Sequence, residues 1–125
     1  MKNALNWFEL PALDFTRARK FYETLFNYSM PVIIDEENFK MGLLPADAEA
    51  TGGAIVFNTG YYQPAGTAGP LIYLNANPDL SVVLQRVEPA GGKILIVKRQ
   101  VSVQFGYMAI FTDSEGNRLA LHSKS

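Results

Sequence analysis

The sequence predicts an α+β fold of two βαβββ modules, and three features of its 125 residues point there. The order strand, helix, three strands occurs twice. A period of about 64 residues relates Trp7 to Leu71 and, within one residue, Asp14 to Asp79. Each half alone would leave one sheet face uncovered, so the halves are expected to fold as one domain. The architecture expected is an eight-stranded, curved, cup-like sheet with two helices outside it. Module one covers about 4–59, a linker about 60–69, and module two about 70–123.

In order along the chain, Leu5–Leu10 is aromatic-rich, loosely alternating and stopped by Pro11, which reads as a strand. Asp14 offers an N-cap for a helix through Phe26. Phe15, Ala18, Phe21, Tyr22, Leu25 and Phe26 fall on one helical face, with Arg17, Arg19, Lys20, Glu23 and Thr24 opposite. Tyr28–Ile34, Phe39–Leu44 and Gly53–Asn58 read as strands. Thr59–Pro70, rich in glycine and proline around Tyr61 and Tyr62, is the linker-like stretch. Leu71–Ala76 reads as a strand, and Asn77-Pro78-Asp79 as a helix start with Asn77 capping and Pro78 at the first helical position. Leu80, Val83, Leu84 and Val87 continue that helix to Pro89-Ala90-Gly91-Gly92. Lys93–Arg99, Gly106–Thr112 and Asn117–His122 are the last three strands, with Asp113–Asn117 as a tight turn. The pairs Gly52-Gly53 and Gly91-Gly92 are read as turns, since neither precedes a helix as a phosphate loop would.

Composition narrows the chemistry more than the fold. Hydrophobic residues make up 48% and charged residues 18%, and a chain this long buries about two thirds of its unfolded surface without staples. With no cysteine and one histidine, His122, disulfide frameworks, zinc ribbons and thiol nucleophiles are excluded. The net charge of −1 is spread along the chain, so no basic run tracks a phosphate backbone and nucleic acid is not an expected partner. No apolar stretch approaches the roughly 20 residues that span a bilayer. The opening Met1–Asn6 is unlike a signal peptide, and a cytoplasmic location is expected.

Trp7-Phe8-Glu9-Leu10-Pro11, then Asp14, Arg17-Ala18 and Phe21-Tyr22-x-x-Leu25-Phe26, resemble the opening module of the vicinal oxygen chelate superfamily. That group holds glyoxalase I, bleomycin-resistance proteins and extradiol dioxygenases. Gly52-Gly53-Ala54, Gly69-Pro70-Leu71-Ile72-Tyr73-Leu74 and Gly91-Gly92-Lys93 resemble its middle. Phe111-Thr112-Asp113-x-Glu115-Gly116-Asn117-Arg118-Leu119-x-Leu121-His122-Ser123 resembles its closing turn and strand. The likeness covers nearly the whole chain, nearest to glyoxalase-related proteins of unassigned reaction. It implies paired modules forming an open cup, frequent homodimers and, in metal-dependent members, four ligands on the first and fourth strands of each module.

Aligned on Asp14, the four ligand positions fall at Trp7, Val56 (Ile55 or Phe57 within one residue), Leu71 and Ala120. None offers a donor to a divalent ion, so no metal and no cofactor is expected. Side chains two apart on a strand share a face, which sets Glu9 beside Trp7 and His122 beside Ala120. Glu9 is expected half-buried among Trp7, Phe57, Tyr73 and Phe105. The pair reads as two ligands of a displaced metal site, one short of the three that a catalytic site wants, as acid–base groups, or as a buried anchor and a half-solvated terminal residue. Tyr73 and Asn75 share a face with Leu71 and read as cup lining or as core and strand end. Phe105, with Val101 and Val103, is expected in a loop over the cup mouth, as are Tyr61 and Tyr62, or else at a dimer contact. Lys98 and Arg99 are expected to close the sixth strand.

Three functions are open on these residues. The first is a metal-independent small-molecule binder with an aromatic, apolar cup formed by Trp7, Val56, Leu71, Tyr73, Asn75, Phe105 and Ala120. The second is a glyoxalase-related lyase or isomerase using Glu9, with or without His122. The third is a non-catalytic regulatory or interaction module.

Overall fold

In a computed structural model describing residues 2–125, the chain divides into two compact units, 1–64 and 65–125. Met1, the first residue of the opening stretch read above, lies outside the described residues.

In the first unit, β1 (Trp7–Pro11) leads into α1 (Phe15–Phe26), followed by β2 (Val32–Glu36), β3 (Phe39–Leu43) and β4 (Gly52–Asn58). The helix starts where the sequence places it. The Asp14 side chain accepts a hydrogen bond from the Arg17 backbone N–H at 3.1 Å, satisfying a donor that the first turn leaves free. Asn27 closes the helix in the left-handed conformation, φ 51°. Phe15, Ala18, Phe21, Tyr22 and Leu25 are buried, and each large side chain removed from water contributes about 1.5–3 kcal/mol. Phe26 is less buried and stacks on Tyr22 at 6.4 Å between ring centroids.

The strand order is β1-β4-β3-β2, with β1 parallel to β4 and the other pairs antiparallel. The parallel pair follows from the helical crossover, because two parallel neighbours cannot be joined by a tight turn. Register assigns the faces. Phe8, Leu10, Gly53 and Ile55 share one face, and Trp7, Glu9, Pro11, Ala54 and Val56 the other. Gly42, paired with Ile55, would press a Cβ onto Met30 and Phe15, so the Phe8–Leu10 face packs under α1. Gly52 and Gly53 are not a turn but the first two residues of β4. The Phe8 ring lies where a Gly53 side chain would stand, 2.4 Å from the ideal Cβ, and only glycine allows that approach.

The second unit repeats the plan: β5 (Ile72–Asn75), α2 (Leu80–Leu84), α3 (Val87–Ala90), β6 (Lys93–Ser102), β7 (Gly106–Thr112) and β8 (Arg118–Ser123). Its order, β5-β8-β7-β6 with β5 parallel to β8, reproduces that of the first. The fold is therefore α+β, with two βαβββ modules and eight strands in two four-stranded mixed sheets, neither closed on itself. Leu74, Phe111, Leu119 and Leu121 form the helix-side core. Ser123 Oγ, fully buried, accepts from the Leu80 N–H at 2.9 Å and fastens α2 to β8. Among the described residues no helix is long and apolar enough to cross a membrane.

Several boundaries differ from expectation. The first of the expected strands after α1 begins at Val32, not Tyr28, and Leu71 precedes β5 rather than opening it. The second helix is broken into α2 and α3. Asp79, not Asn77, caps α2: its carboxylate accepts from the Ser81 N–H at 2.9 Å, and the Asn77–Pro78 peptide is cis. Lys98 and Arg99 do not end the sixth strand, which runs to Ser102, so the expected loop shrinks to 103–105. Lys98 instead pairs with Asp79 at 2.8 Å and lies over the Tyr107 ring. The hydrogen bond to Lys98, then those from Ser81, hold the Asp79 carboxyl down to about 2.

Candidate ligand-binding site

On the face of the first unit turned away from α1, Glu9 is held between two donors. The Trp7 indole Nε1–H donates to Oε2 at 3.2 Å, and the Tyr62 hydroxyl donates to Oε1 at 2.5 Å. The second contact has the short length of an O–H···carboxylate bond. Tyr62 lies in the stretch read as linker and lid; it is tied down by Glu9, while Tyr61 beside it is 85% exposed. Phe57, expected beside Glu9, is on the opposite, helix-side face, because β4 residues of odd number pair with Phe8 and Leu10. Val56 is fully buried on the Glu9 face.

Giving up its proton would cost Tyr62 the bond to Glu9 and set two anions side by side. The hydrogen bond to Glu9, then burial, then the carboxylate charge accordingly push the Tyr62 hydroxyl above its ordinary value of 10.0. Glu9→Gln removes the anion and is expected to bring the Tyr62 titration back toward that value. Ultraviolet phenolate titrations of both proteins, each differenced against its Tyr62→Phe partner, check this; an unmoved Tyr62 would contradict the pairing.

In the second unit, register sets Tyr73 opposite Ala120 and Asn75 opposite His122, so these four share the face away from Leu119 and Leu121. Tyr73, Leu74, Asn75, Asn77 and His122 line an open cavity of about 380 Å³. Ala120 is fully buried beside it. Asn75 Oδ1 accepts from both the backbone N–H and the side-chain Nδ2 of Asn77 at 2.9 Å, which leaves the Asn75 amide hydrogens to donate. Asn77 Oδ1 accepts from the Lys124 N–H at 2.8 Å. His122 Nε2 bonds the Phe105 carbonyl oxygen. A carbonyl only accepts, so Nε2 is the donor in that bond and Nδ1 is the ring nitrogen left facing elsewhere. Phe105 thus enters through its backbone, the residue being 58% exposed at the 103–105 turn.

Trp7 and Glu9 are in contact within the first unit, and Tyr73, Asn75 and His122 line the cavity of the second. Glu9 and His122 each bond a partner of their own unit. Asn77 was expected only as a helix cap, and Tyr62, expected over the cup mouth, was not expected to bond Glu9. For a divalent ion the donor set does not fit: Trp7, Val56, Leu71 and Ala120 carry no ligating atoms, and among the described residues no three His, Cys, Asp or Glu side chains cluster.

Known proteins sharpen the picture. No family model matches the chain. Over 127 residues it is 27% identical to the anthracycline biosynthesis protein DnrV of Streptomyces peucetius, covering 94% of this chain and 46% of that one. It thus spans about half the length of the curated relatives it matches. A glyoxalase/bleomycin resistance protein from Albidiferax ferrireducens T118 superposes with a TM-score of 0.74 at 15% identity, covering 98% of this chain and 100% of that one. The chain has the fold of the vicinal oxygen chelate superfamily. TnmS3, an antibiotic binding protein from Streptomyces sp. CB03234, shares that fold with a TM-score of 0.68 at 19% identity, covering 100% and 99% of the two chains. Glyoxalase I from Zea mays matches with a TM-score of 0.70 at 22% identity over 95% of this chain and 45% of its own. The resemblance read from the sequence is upheld, and each βαβββ unit described above is one module of that fold.

Proposed function

We propose that this chain binds a planar aromatic small molecule carrying hydroxyl or keto groups, without a metal ion, in the cavity beside Tyr73. The observation that carries the reading is the composition of that cavity. It has the volume of a small-molecule pocket and sets an exposed aromatic ring against a few polar groups. The Tyr73 ring offers a stacking surface. The Asn75 amide donates, and His122 Nδ1 accepts when the ring is neutral. Similarity to an anthracycline biosynthesis protein and a shared fold with an antibiotic binding protein support that ligand class. Metal independence rests on the donor chemistry of Trp7, Val56, Leu71 and Ala120. In the lyase or isomerase alternative, Glu9 is the proton acceptor; its two oxygens already bonded by Trp7 and Tyr62 favour an anchor.

The test is an equilibrium titration with a dihydroxyanthraquinone, followed by the dye's absorbance in buffer containing a chelator. Saturable binding is expected, weakened about tenfold, or about 1.4 kcal/mol, by Tyr73→Ala. Binding that fails to saturate, or that Tyr73→Ala leaves unchanged, would overturn the reading.

A further inference from the structure

We infer that Lys93, Thr112 and Arg118 form an oxyanion-binding row on the second sheet, taking a carboxylate or phosphate group. Thr112 is paired directly with Lys93 on β6 and with Arg118 on β8. Directly opposed residues of antiparallel strands project from one face with Cβ atoms about 5 Å apart. Their neighbours Ile94, Phe111 and Leu119 form the adjacent rung. Phe111 and Leu119 are fully buried in the helix-side core, so the row projects from the other face, the one that carries Ala120 and His122.

Two cations therefore straddle a hydroxyl in a single rung. Among the described residues Lys93 Nζ, Thr112 Oγ1 and the Arg118 guanidinium have no hydrogen-bond or ion-pair partner, and Arg118 Nε is shielded from water with its donor unmet. A buried donor without an acceptor is rare in folded proteins. A planar acceptor with at least two oxygens suits the row. The guanidinium fork presents parallel N–H bonds that match a carboxylate or phosphate edge, Lys93 adds a mobile point charge, and Thr112 adds a hydroxyl donor. Arg118 is four residues from His122 along β8, roughly 13 Å at about 3.3 Å per residue, and is not among the cavity-lining residues. The row is a separate site and does not rest on the function proposed above.

The test follows the Arg118 Nε–Hε resonance in the full chain during titration with sodium benzoate and, separately, inorganic phosphate, at ionic strength fixed with sodium chloride. Arg17, Arg19, Arg86 and Arg99 serve as internal controls. A saturable shift of Arg118 alone is expected with at least one anion, weakened about tenfold by Lys93→Gln, an exposed position where folding is not at stake. A response to benzoate only identifies a carboxylate site, one to phosphate only a phosphate site, and one to both a general oxyanion site. No shift beyond chloride, equal shifts at all arginines, or titration unaltered by Lys93→Gln would overturn the inference.

Discussion

Gly106→Ala is expected to destabilise the protein by about 3 kcal/mol or more. Gly106 opens β7 with φ at +83°, and a Cβ built there would stand 2.3 Å from the Ser123 carbonyl oxygen and 3.0 Å from Lys124 Cα. Both neighbours are backbone, so no side chain can swing aside. The end of β8 would have to move away from β7, against the Tyr107–Ser123 pair and the Ser123–Leu80 bond that holds α2. The turn carrying the Phe105 carbonyl, partner of His122, would move with it. Gly60→Ala separates the two contributions: its φ is +90°, with nothing within 4 Å of the added carbon. Gly60→Ala should therefore cost about 1–2 kcal/mol, the left-handed penalty alone. Urea unfolding of both variants checks the difference, and equal midpoints would remove the clash from the explanation.

Asp113→Ala should cost about 3–4 kcal/mol, lowering the melting temperature by roughly 10 °C. Asp113 is 5% exposed at the turn before β8. Its Oδ1 accepts from the backbone N–H groups of Glu115 and Asn117, and its Oδ2 from Asn117 Nδ2, all at 2.9 Å. Truncation strands those donors in a buried turn, which costs more than the bonds were worth. Asp113→Asn keeps an acceptor for the two backbone groups but turns an amide toward the Asn117 amide, and should lose about half as much. Calorimetric unfolding of the two variants measures both; a Asp113→Ala protein as stable as wild type would contradict this reading. Because the turn delivers β8, the same lesion should loosen Arg118, Ala120 and His122.

Much of this was legible in the residues. α1 was readable because its signals agree: a capping aspartate and a six-residue apolar face. The repeated βαβββ order and the Asp113–Asn117 turn were readable for the same reason, local chemistry and pattern pointing one way. The break between α2 and α3 was not, because Leu80 to Val87 keeps helical spacing through it. Gly52-Gly53 looked like a turn because the Phe8 ring that needs the space is 45 residues away in sequence. Tyr62 escaped notice as the partner of Glu9 because a contact across 53 residues leaves no periodic trace, least of all in a glycine- and proline-rich stretch. Tyr73, Asn75 and His122 were found from strand parity alone; Asn77 was missed because its cap-like context suggested a different use.

The sequence holds one histidine and one tryptophan, so each unit has its own spectroscopic reporter. The decisive measurement is a titration of chelator-treated protein with the dihydroxyanthraquinone, following the His122 ring Cε1–H and Trp7 indole N–H resonances by NMR. A metal-free cavity bounded by Tyr73, Asn75 and His122 predicts a saturable shift of the His122 resonance at the affinity seen by absorbance, whether or not a divalent ion is added. A His122 resonance that stays fixed, or that moves only once a divalent ion is supplied, would contradict it.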